Sequence, residues 1–224
     1  MERSKGAGKK KANVKLSEQI YQLLKRDIIE CVFEPGETLQ ESAVRETYKI
    51  GHTPFREACA RLKAEGLIQI VPHRGYFVAP FSPNLIQDLF ELRLMIEPHA
   101  AFLACERQNP IQVSRVEQNL NESKRLSRGR DSENVPKIVW NSIEFHTLIA
   151  SMTGNQELAA FVENLHQRLA RLIILIAKRR PPTFGFNAVH YHIFEALRDR
   201  NAEKVRKLME EDLNHTRAWI QTSV

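Results

Sequence analysis

The 224-residue sequence contains no apolar run long enough to cross a membrane. The longest such run, residues 172–177, is far shorter than the roughly 20 residues that a transmembrane helix needs. The N-terminus also has no apolar core after its charged residues, so no signal peptide is indicated. We therefore expect a soluble, cytoplasmic protein without a membrane partner.

Cysteine is scarce as well. Cys31, Cys59 and Cys105 are odd in number, widely spaced and set among apolar or helical neighbours. This pattern predicts neither a disulfide framework nor a zinc ribbon, and it suits a reducing compartment. The His-Glu-x-x-His string of zinc proteases and the Gly-x-Ser-x-Gly string of α/β-hydrolases are also missing, so no catalytic motif points to an enzyme.

Basic side chains outnumber acidic ones, 33 to 27, which gives a formal net charge of +6 and a sequence pI near 9.3. Most of the excess lies in residues 1–80, which contain 14 basic and 10 acidic side chains. This distribution makes a polyanion a plausible partner of the N-terminal part. Residues 1–13 are rich in Gly, Lys and Ser, and we expect a disordered basic tail that either adds phosphate contacts or remains solvated.

The segment from residue 14 to residue 79 is expected to form three short helices and a hairpin. Apolar spacing predicts the first two helices at about 17–29 and 41–48. The third begins near Thr53 and Pro54, because proline is tolerated in a first turn whose N–H groups have no intrahelical partner.

Two short apolar runs follow the third helix. They cover residues 67–71 and 76–78, and between them lies the turn Pro72-His73-Arg74-Gly75. Three helices followed by such a hairpin predict a winged helix-turn-helix domain.

The remainder of the chain is predicted to be mainly α-helical. Prolines at 80 and 83 indicate a linker over residues 80–84. A helix with apolar residues three and four apart follows, and the whole segment 85–222 predicts an antiparallel bundle of about six helices. The later helices are expected at about 111–128, 136–152, 156–178, 187–199 and 202–222.

The N-terminal part contains the strings EPG at residues 34–36, TPFREA at 53–58, EGL at 65–67 and RGYFV at 74–78. In these strings it resembles the GntR family of bacterial transcriptional regulators. The helical remainder contains, in this order, Leu92, Arg93, Glu97, Phe145, His146, Gly154, Asn155, His190, Ile193 and Ala196. In these residues it resembles the ligand-binding domain of the FadR type, called FCD.

The resemblance implies a homodimer that binds a palindromic operator in double-stranded DNA and responds to a small carboxylate metabolite. Family members contact DNA through the start of the third helix and the wing tip. This assigns candidate DNA-binding roles to His52, Thr53, Pro54, Arg56 and Gly75. The sequence departs from the family in two places: Gly51-His52 replaces Ser-Arg, and Ser42 replaces an arginine, which leaves the base preference open.

The residues themselves support part of this assignment. Thr53 and Arg56 fall on the polar face at the start of the third helix, where side chains meet base edges in the major groove. Arg56 could instead pair with Glu41 or Glu57 on a solvated face. Arg74, beside a glycine at the hairpin tip, suits a minor-groove or backbone contact, although a plain tight turn explains Gly75 equally well.

Two histidines of the helical part share faces with apolar residues. His146 and His190 should therefore point into the bundle, where they could meet around a divalent metal. By resemblance, Ser142 occupies the place of a metal-binding aspartate and Asp212 that of a third histidine. Asp212 also shares an inward helix face with Val205 and Leu208. Zinc, nickel, manganese or iron could bind to the resulting set. Weaker candidate ligands are Asn141, Ser142 and His215.

Other roles for these residues remain open at this stage. His146 and His190 could bind the effector directly or hydrogen-bond each other. Arg93 could grip an anionic effector through a bidentate contact, or pair with Glu97 four residues on, at the domain surface or the dimer seam.

The leading hypothesis is a transcriptional regulator, most simply a repressor, whose operator affinity changes when the effector binds. One alternative is a constitutive DNA-binding protein without an effector. A second alternative is a metal-dependent hydrolase centred on the histidines, although no general base or nucleophile is apparent beside them.

Overall fold

The computed structural model describes residues 17–127, 134–179 and 188–223. The chain divides into two compact units, Met1–Phe81 and Ser82–Val224. The division falls inside the segment predicted as a linker, and the predicted basic tail, residues 1–13, lies outside the described residues. No helix within the described ranges is both long and apolar enough to cross a membrane.

The first unit contains three helices and a small sheet. Helix α1 covers residues 17–29, α2 covers Glu41–Thr47 and α3 covers His52–Ala64. The strands are β1 (Thr38–Leu39), β2 (Ile68–Val71) and β3 (Gly75–Val78), antiparallel in the order β1-β3-β2. The predicted helices and hairpin are present, and together they form a winged helix-turn-helix.

Strand β1 was not predicted. It has only two residues, too few to show an alternating pattern, and it exists because Thr38 and Leu39 pair with Phe77 and Tyr76 of β3. The buried apolar side chains of the unit come from all three helices and from the strand region. It contains Ile20, Leu24, Ile28, Leu39, Val44, Phe55, Leu62, Leu67 and Val78.

The described residues of the second unit form six helices, in agreement with the predicted number. They are α4 (Pro83–Arg107), α5 (Pro110–Leu126), α6 (Val135–Ser151), α7 (Gln156–Arg179), α8 (Ala188–Arg198) and α9 (Ala202–Gln221). Helix α4 packs against α6, α7 and α9, while α6 packs against α5 and α7. The centre of this unit is therefore enclosed by helices far apart in sequence.

The predicted linker extended too far. Pro83 and Asn84 belong to the first turn of α4, because the Ser82 side chain accepts a hydrogen bond from the backbone N–H of Leu85 and so caps the helix. Pro83 follows this cap, where its missing N–H removes no intrahelical hydrogen bond.

Helix α4 has apolar residues on opposite sides. One side is buried and includes Leu89, Ala101 and Ala104. The other contains Leu92, Met95 and Phe102, and the Met95 side chain is 75 % exposed. A helix that is apolar on all sides is normally covered on all sides. The side of α4 that carries Leu92, Met95 and Phe102, here called its outer face, has no such cover among the described residues of this chain.

Candidate nucleic-acid interface and candidate metal centre

The start of α3 presents polar side chains to solvent. His52, Thr53 and Arg56 are exposed, and the N-cap residue Gly51 provides no side-chain oxygen to the first N–H groups. The first turn has no acidic residue. Unsatisfied N–H groups and the positive end of the helix dipole therefore remain available to an anion such as a phosphate group.

Pro54 differs from its neighbours because it is buried with the core residues of α3. Its fixed φ suits the first turn, so its evident role is to shape the helix start. Contact between Pro54 and DNA stays a prediction that its burial does not favour.

Arg56 has no carboxylate partner among the described residues. Glu41 contacts His52, and Glu57 accepts a hydrogen bond from Ser17, so neither of the acidic residues considered in the sequence analysis neutralises Arg56. An exposed, unpaired guanidinium beside an uncapped helix start is suited to a phosphate or a base edge.

His52 contacts two side chains of α2. A carboxylate oxygen of Glu41 contacts its Nδ1 atom, and Nη1 of Arg45 lies 2.7 Å from its Nε2 atom. No sequence pattern assigned a role to Arg45. Arg45 lies in the last turn of α2, close in sequence to the start of α3, and this position could have indicated a contact between its side chain and α3.

The wing tip is a three-residue turn between β2 and β3, with Val71 paired to Gly75. The backbone N–H of Arg74 donates to the Val71 carbonyl at 3.1 Å, and Gly75 has a φ of +99°, which favours glycine. The Arg74 guanidinium lies 5.6 Å from the centre of the Phe77 ring and is exposed. The turn itself thus accounts for Gly75, and Arg74 remains accessible.

The helical unit holds a cluster of buried titratable groups. Five of its helices contribute side chains. These are Arg93 and Glu97 from α4, His146 from α6, His166 from α7, His190 from α8 and Asp212 from α9. The prediction that His146, His190 and Asp212 point inward is confirmed by their burial.

One half of the cluster surrounds Asp212. Its Oδ2 atom lies 3.4 Å from Nε2 of His146 and 3.7 Å from Nε2 of His190. The Nδ1 atom of His190 is buried and has no hydrogen-bond partner among the residues that the structure describes. The His190 ring stacks on Phe145 at a centroid distance of 3.9 Å, which fixes its plane.

The other half surrounds Glu97. Its Oε1 atom accepts a hydrogen bond from Nε of Arg93 at 2.6 Å, and its Oε2 atom lies 2.7 Å from Nδ1 of His146. Nε2 of His166 lies 3.0 Å from both Glu97 Oε2 and Arg93 Nη2, so its tautomer decides which of the two it binds. The ion pair of Arg93 and Glu97 is thus present but buried, not at the surface as one sequence hypothesis placed it.

Electrostatics sets opposite protonation tendencies within the cluster. Burial alone would raise the pKa of Glu97, but Arg93 and the imidazoles of His166 and His146 hold this pKa well below its ordinary value. Burial also disfavours a charged His146, yet Glu97 and Asp212 raise the pKa of His146 above its ordinary value. Glu97 is therefore ionised, and His146 is drawn toward its protonated form.

The pKa values of the other two histidines shift in the opposite direction to that of His146. Burial and the Arg93 charge lower the pKa of His166 to about 3, and burial lowers the pKa of His190. Burial opposes ionisation of Asp212, but His190 and His146 keep the pKa of Asp212 well below its ordinary value. At neutral pH, two uncharged imidazoles therefore stand close to two carboxylates.

Distances decide which half suits a metal ion. With ligand bonds of about 2.0–2.1 Å, donor atoms around a tetrahedral ion are roughly 3.4 Å apart. The separations of 3.4 and 3.7 Å around Asp212 fit this spacing. The 2.7 and 3.0 Å separations around Glu97 are those of ion pairs, and Arg93 already occupies that carboxylate. Two sets of three donors lie close enough together to hold an ion, Glu97 with His146 and His166, and His146 with His190 and Asp212. By the spacing of their donor atoms, the second set fits a divalent metal better.

A cavity of about 30 Å³ adjoins the cluster. It is lined by Arg93, Ser142, His146, His166 and Asp212, together with Val139, Ile143, Ile173 and Thr216. This volume holds one or two water molecules. Ser142, the residue at the family's aspartate position, thus faces the cavity, although its hydroxyl is a weaker metal ligand than a carboxylate.

Two weaker candidates lie elsewhere. The Asn141 side chain donates to the Asn119 carbonyl at 3.0 Å and is not among the cavity-lining residues, because it faces α5. His215 is exposed, although it lies only about one helical turn beyond the buried Asp212 on α9. Neither position favours a role as a metal ligand, and both assignments stay predictions.

His166 was not among the predicted site residues, and Glu97 was expected only as a partner of Arg93. A signal for His166 exists, because it falls four residues after Val162 and three before Leu169, both of which are buried. Its proximity to Glu97 could not be seen, since 69 residues separate the two in the chain.

Comparison with known families agrees with this architecture. Residues 16–78 match the family model described as bacterial regulatory proteins, gntR family, and residues 88–215 match the FCD domain. The second match alone spans more than half of the chain. The winged unit and the helical unit therefore each correspond to a described domain.

Relatives of known sequence are also regulators. The chain is 29 % identical over 198 residues to the HTH-type transcriptional repressor RspR of Escherichia coli K12, covering 88 % of this chain and 86 % of that protein. It is 31 % identical over 163 residues to the repressor GlaR of the same organism, covering 71 % and 73 %. The Nta operon transcriptional regulator of Aminobacter aminovorans is 29 % identical, covering 77 % and 79 %.

Solved structures share the fold. Escherichia coli McbR/YncC superposes with a TM-score of 0.81 at 20 % identity, covering 92 % of this chain and 97 % of that one. A GntR regulator from Rhodococcus sp. RHA1 gives 0.79 at 20 % identity, covering 93 % and 98 %. The family consists of transcription regulators, not enzymes, which sets the hydrolase hypothesis aside. The chain belongs to the GntR family of bacterial transcriptional regulators, with an FCD domain as its helical unit.

Proposed function

We propose that this protein is an effector-responsive repressor that binds a palindromic operator as a homodimer in the bacterial cytoplasm. The observation that carries the DNA-binding part is the exposed, unpaired Arg56 beside Thr53 at an uncapped helix start. The names of the relatives RspR and GlaR support repression as the direction of control.

The DNA-binding part is tested by selecting bound sequences from random duplex DNA. We expect a palindrome, because two symmetry-related reading heads bind two half-sites of opposite orientation. Arg56→Ala should weaken binding to the selected site strongly. Arg26→Ala is the matched control, since it also removes one arginine and its positive charge, but this arginine is already paired with Glu30. Absence of any selected sequence would overturn the proposal.

The homodimer is supported by the outer face of α4. Leu92, Met95, His99 and Phe102 are spaced three and four residues apart and therefore lie on one side of the helix. The His99 and Phe102 rings are parallel, with centroids 6.3 Å apart. A second copy of the same helix would cover this apolar face and remove it from water.

For the effector, we propose a small anionic carboxylate bound at the cluster of α4 to α9. His146, His190 and Asp212 would hold a divalent ion, which supplies a Lewis-acid position for a carboxylate oxygen. Arg93 lines the same cavity and carries the charge that attracts an anion, although Glu97 already engages one side of its guanidinium. Because the cavity holds only one or two water molecules, it has room for the carboxylate group of an effector but not for a larger molecule. The helices around the cavity must therefore move to admit the rest of the effector.

Thermal unfolding in the presence of a panel of carboxylic acids, with and without divalent metal, tests this part. An effector is expected to raise the midpoint, and more so with metal. A raised midpoint that is insensitive to chelator would favour direct binding by the histidines. No stabilisation by any acid, together with unchanged operator affinity, would favour the constitutive DNA-binding alternative.

A further inference from the structure

The arginine at position 45 belongs to α2, but its side chain reaches the start of α3. Its Nε atom donates to the Ile50 carbonyl at 3.3 Å, and its Nη1 atom lies 2.7 Å from Nε2 of His52. Two contacts on different atoms of one planar group fix the plane of the guanidinium. The cation is thereby held beside the first residue of the helix that faces DNA.

The same contacts remove His52 from base recognition. The Nη1 atom of Arg45 lies 2.7 Å from Nε2 of His52 and 3.3 Å from its Nδ1. Because arginine has only donors, we assign the nearer atom, Nε2, as the acceptor, which leaves the ring proton on Nδ1. That proton is directed to Glu41, whose carboxylate contacts Nδ1. Both ring nitrogens of His52 are therefore engaged within the protein, although the side chain is 69 % exposed.

Arg45 in contrast keeps donors to spare. A guanidinium has five N–H donors, and the contacts with Ile50 and His52 use two of them. The others lie on the two terminal nitrogens. Within the described ranges, no carboxylate comes within ion-pairing distance of Arg45. The start of α3 thus carries one edge of the Arg45 guanidinium, which is charged, held in a fixed orientation and not neutralised by a carboxylate of the described residues.

We propose that Arg45 is the residue that recognises a guanine in each half-site, and that Glu41 and His52 position it. A guanidinium edge matches the O6 and N7 acceptors of guanine in the major groove. This inference rests on the proposed function. It also accounts for the two departures noted in the sequence, since Ser42 and His52 both stand where the family has arginine.

A phosphate contact is the less favoured role. A phosphate needs only a nearby cation and sets little demand on the orientation of the group. The fixed plane of Arg45 and the chain of contacts from Glu41 through His52 would be unnecessary for it. Orientation is what base recognition requires.

The experiment is sequence selection from random duplexes with the full chain and a set of variants. Arg45→Ala is expected to lose the preference at one guanine per half-site and to bind the wild-type site roughly 10- to 100-fold more weakly. Arg45→Lys keeps the charge but lacks the planar fork, so it should lose the same preference. Arg26→Ala is the charge-matched control and should leave the selected site unchanged. Circular dichroism and thermal unfolding establish that each variant is folded.

His52→Ala and Glu41→Gln test the positioning role. Both should weaken the preference at the base pair that Arg45→Ala affects and leave the other base pairs unchanged. Loss of preference at a different base pair in His52→Ala would overturn the proposal, because His52 would then read a base itself.

Two further outcomes are decisive. A uniform loss of affinity for all sequences in Arg45→Ala, with a smaller salt dependence, would assign Arg45 to phosphate and refute the inference. If the wild-type protein selects a site and Arg45→Ala selects the same one with equal discrimination, the inference alone fails. If the wild-type protein selects no site, the proposed function fails as well.

Discussion

The Nδ1 atom of His146 lies 2.7 Å from a carboxylate oxygen of Glu97 in the interior of the helical unit. The opposite nitrogen of the same ring faces Asp212 at 3.4 Å. One imidazole thus links an ion-paired half of the cluster to a half whose spacing suits a metal ion. Because Glu97 is itself held by Arg93, a change at either of these residues should reach the proposed metal ligands.

The proposed metal ligands can be tested directly. Removing a residue that hydrogen-bonds to a metal ligand typically lowers metal affinity roughly 10- to 100-fold. Asp212→Asn and His190→Asn change the ligands themselves, so each should lower the affinity for a divalent ion by more than this. Competition with a chromophoric chelator measures this affinity. His215→Asn is the control, since His215 is exposed on the same helix as Asp212. Equal affinities in all four proteins would exclude this donor set.

The buried ion pair of Arg93 and Glu97 should dominate the stability of this region. Arg93→Met leaves the Glu97 carboxylate buried without its main partner, at an expected cost of about 3–5 kcal/mol in the free energy of unfolding. Adding Glu97→Leu should recover much of that loss, because the uncompensated charge is then gone. Urea denaturation measures both.

An ion pair at the protein surface is the comparison for the buried pair of Arg93 and Glu97. Arg125 and Glu122 form an ion pair whose side chains are both exposed. Arg125→Met should leave the free energy of unfolding almost unchanged, because water screens such pairs. A similar loss in Arg125→Met and Arg93→Met would show that burial is not the cause.

His166 should make the metal-free protein less stable in acid. Its pKa is about 3 in the folded protein against an ordinary value of 6.5, so below pH 6.5 the unfolded chain binds a proton that the folded protein does not. The free energy of unfolding therefore decreases as the pH is lowered, by up to about 1.4 kcal/mol per pH unit for one such proton. His166→Asn should flatten this slope between pH 6.5 and 5.

Denaturant titrations at several pH values provide the measurement. His192→Asn is the matched control, because His192 is exposed on α8 and its ion-pair partner is Glu195, at 3.5 Å. It should retain the wild-type slope. A slope that is unaffected by His166→Asn would mean that His166 is not held neutral in the folded protein.

The outer face of α4 should control dimerisation. Met95→Glu places a charge in the middle of the apolar stripe, where a second copy would have to bury it unpaired. We expect the dimer dissociation constant to rise at least 100-fold, measured by analytical ultracentrifugation. Ile111→Glu is the control, since Ile111 is also strongly exposed but lies on α5. Equal effects of the two changes would place the interface elsewhere.

Much of the fold was predictable because its elements follow local rules. Phe55, Cys59 and Leu62 recur at helical spacing and are all buried in α3. Gly75 marks the turn between two apolar runs and has the positive φ that this turn requires. The inward positions of His146, His190 and Asp212 likewise followed from the apolar residues that share their helix faces.

The unpredicted features depend on contacts between distant parts of the chain. Strand β1 is defined by its pairing with β3, and His166 gains its environment from Glu97 on another helix. Arg45 is near His52 in sequence, yet only the angle between α2 and α3 brings its guanidinium onto the ring. None of these leaves a periodic signal.

The sequence by itself determined the two domains, the order of their helices and the inward faces, because backbone hydrogen bonding and burial of apolar side chains act at fixed local spacing. The tertiary structure alone decided that Arg93 pairs with Glu97 in the interior, that His146 stands between two carboxylates and that His52 is held by Arg45. These contacts depend on distances between packed helices, and electrostatic and coordination energies change steeply over a few tenths of an ångström to a few ångströms.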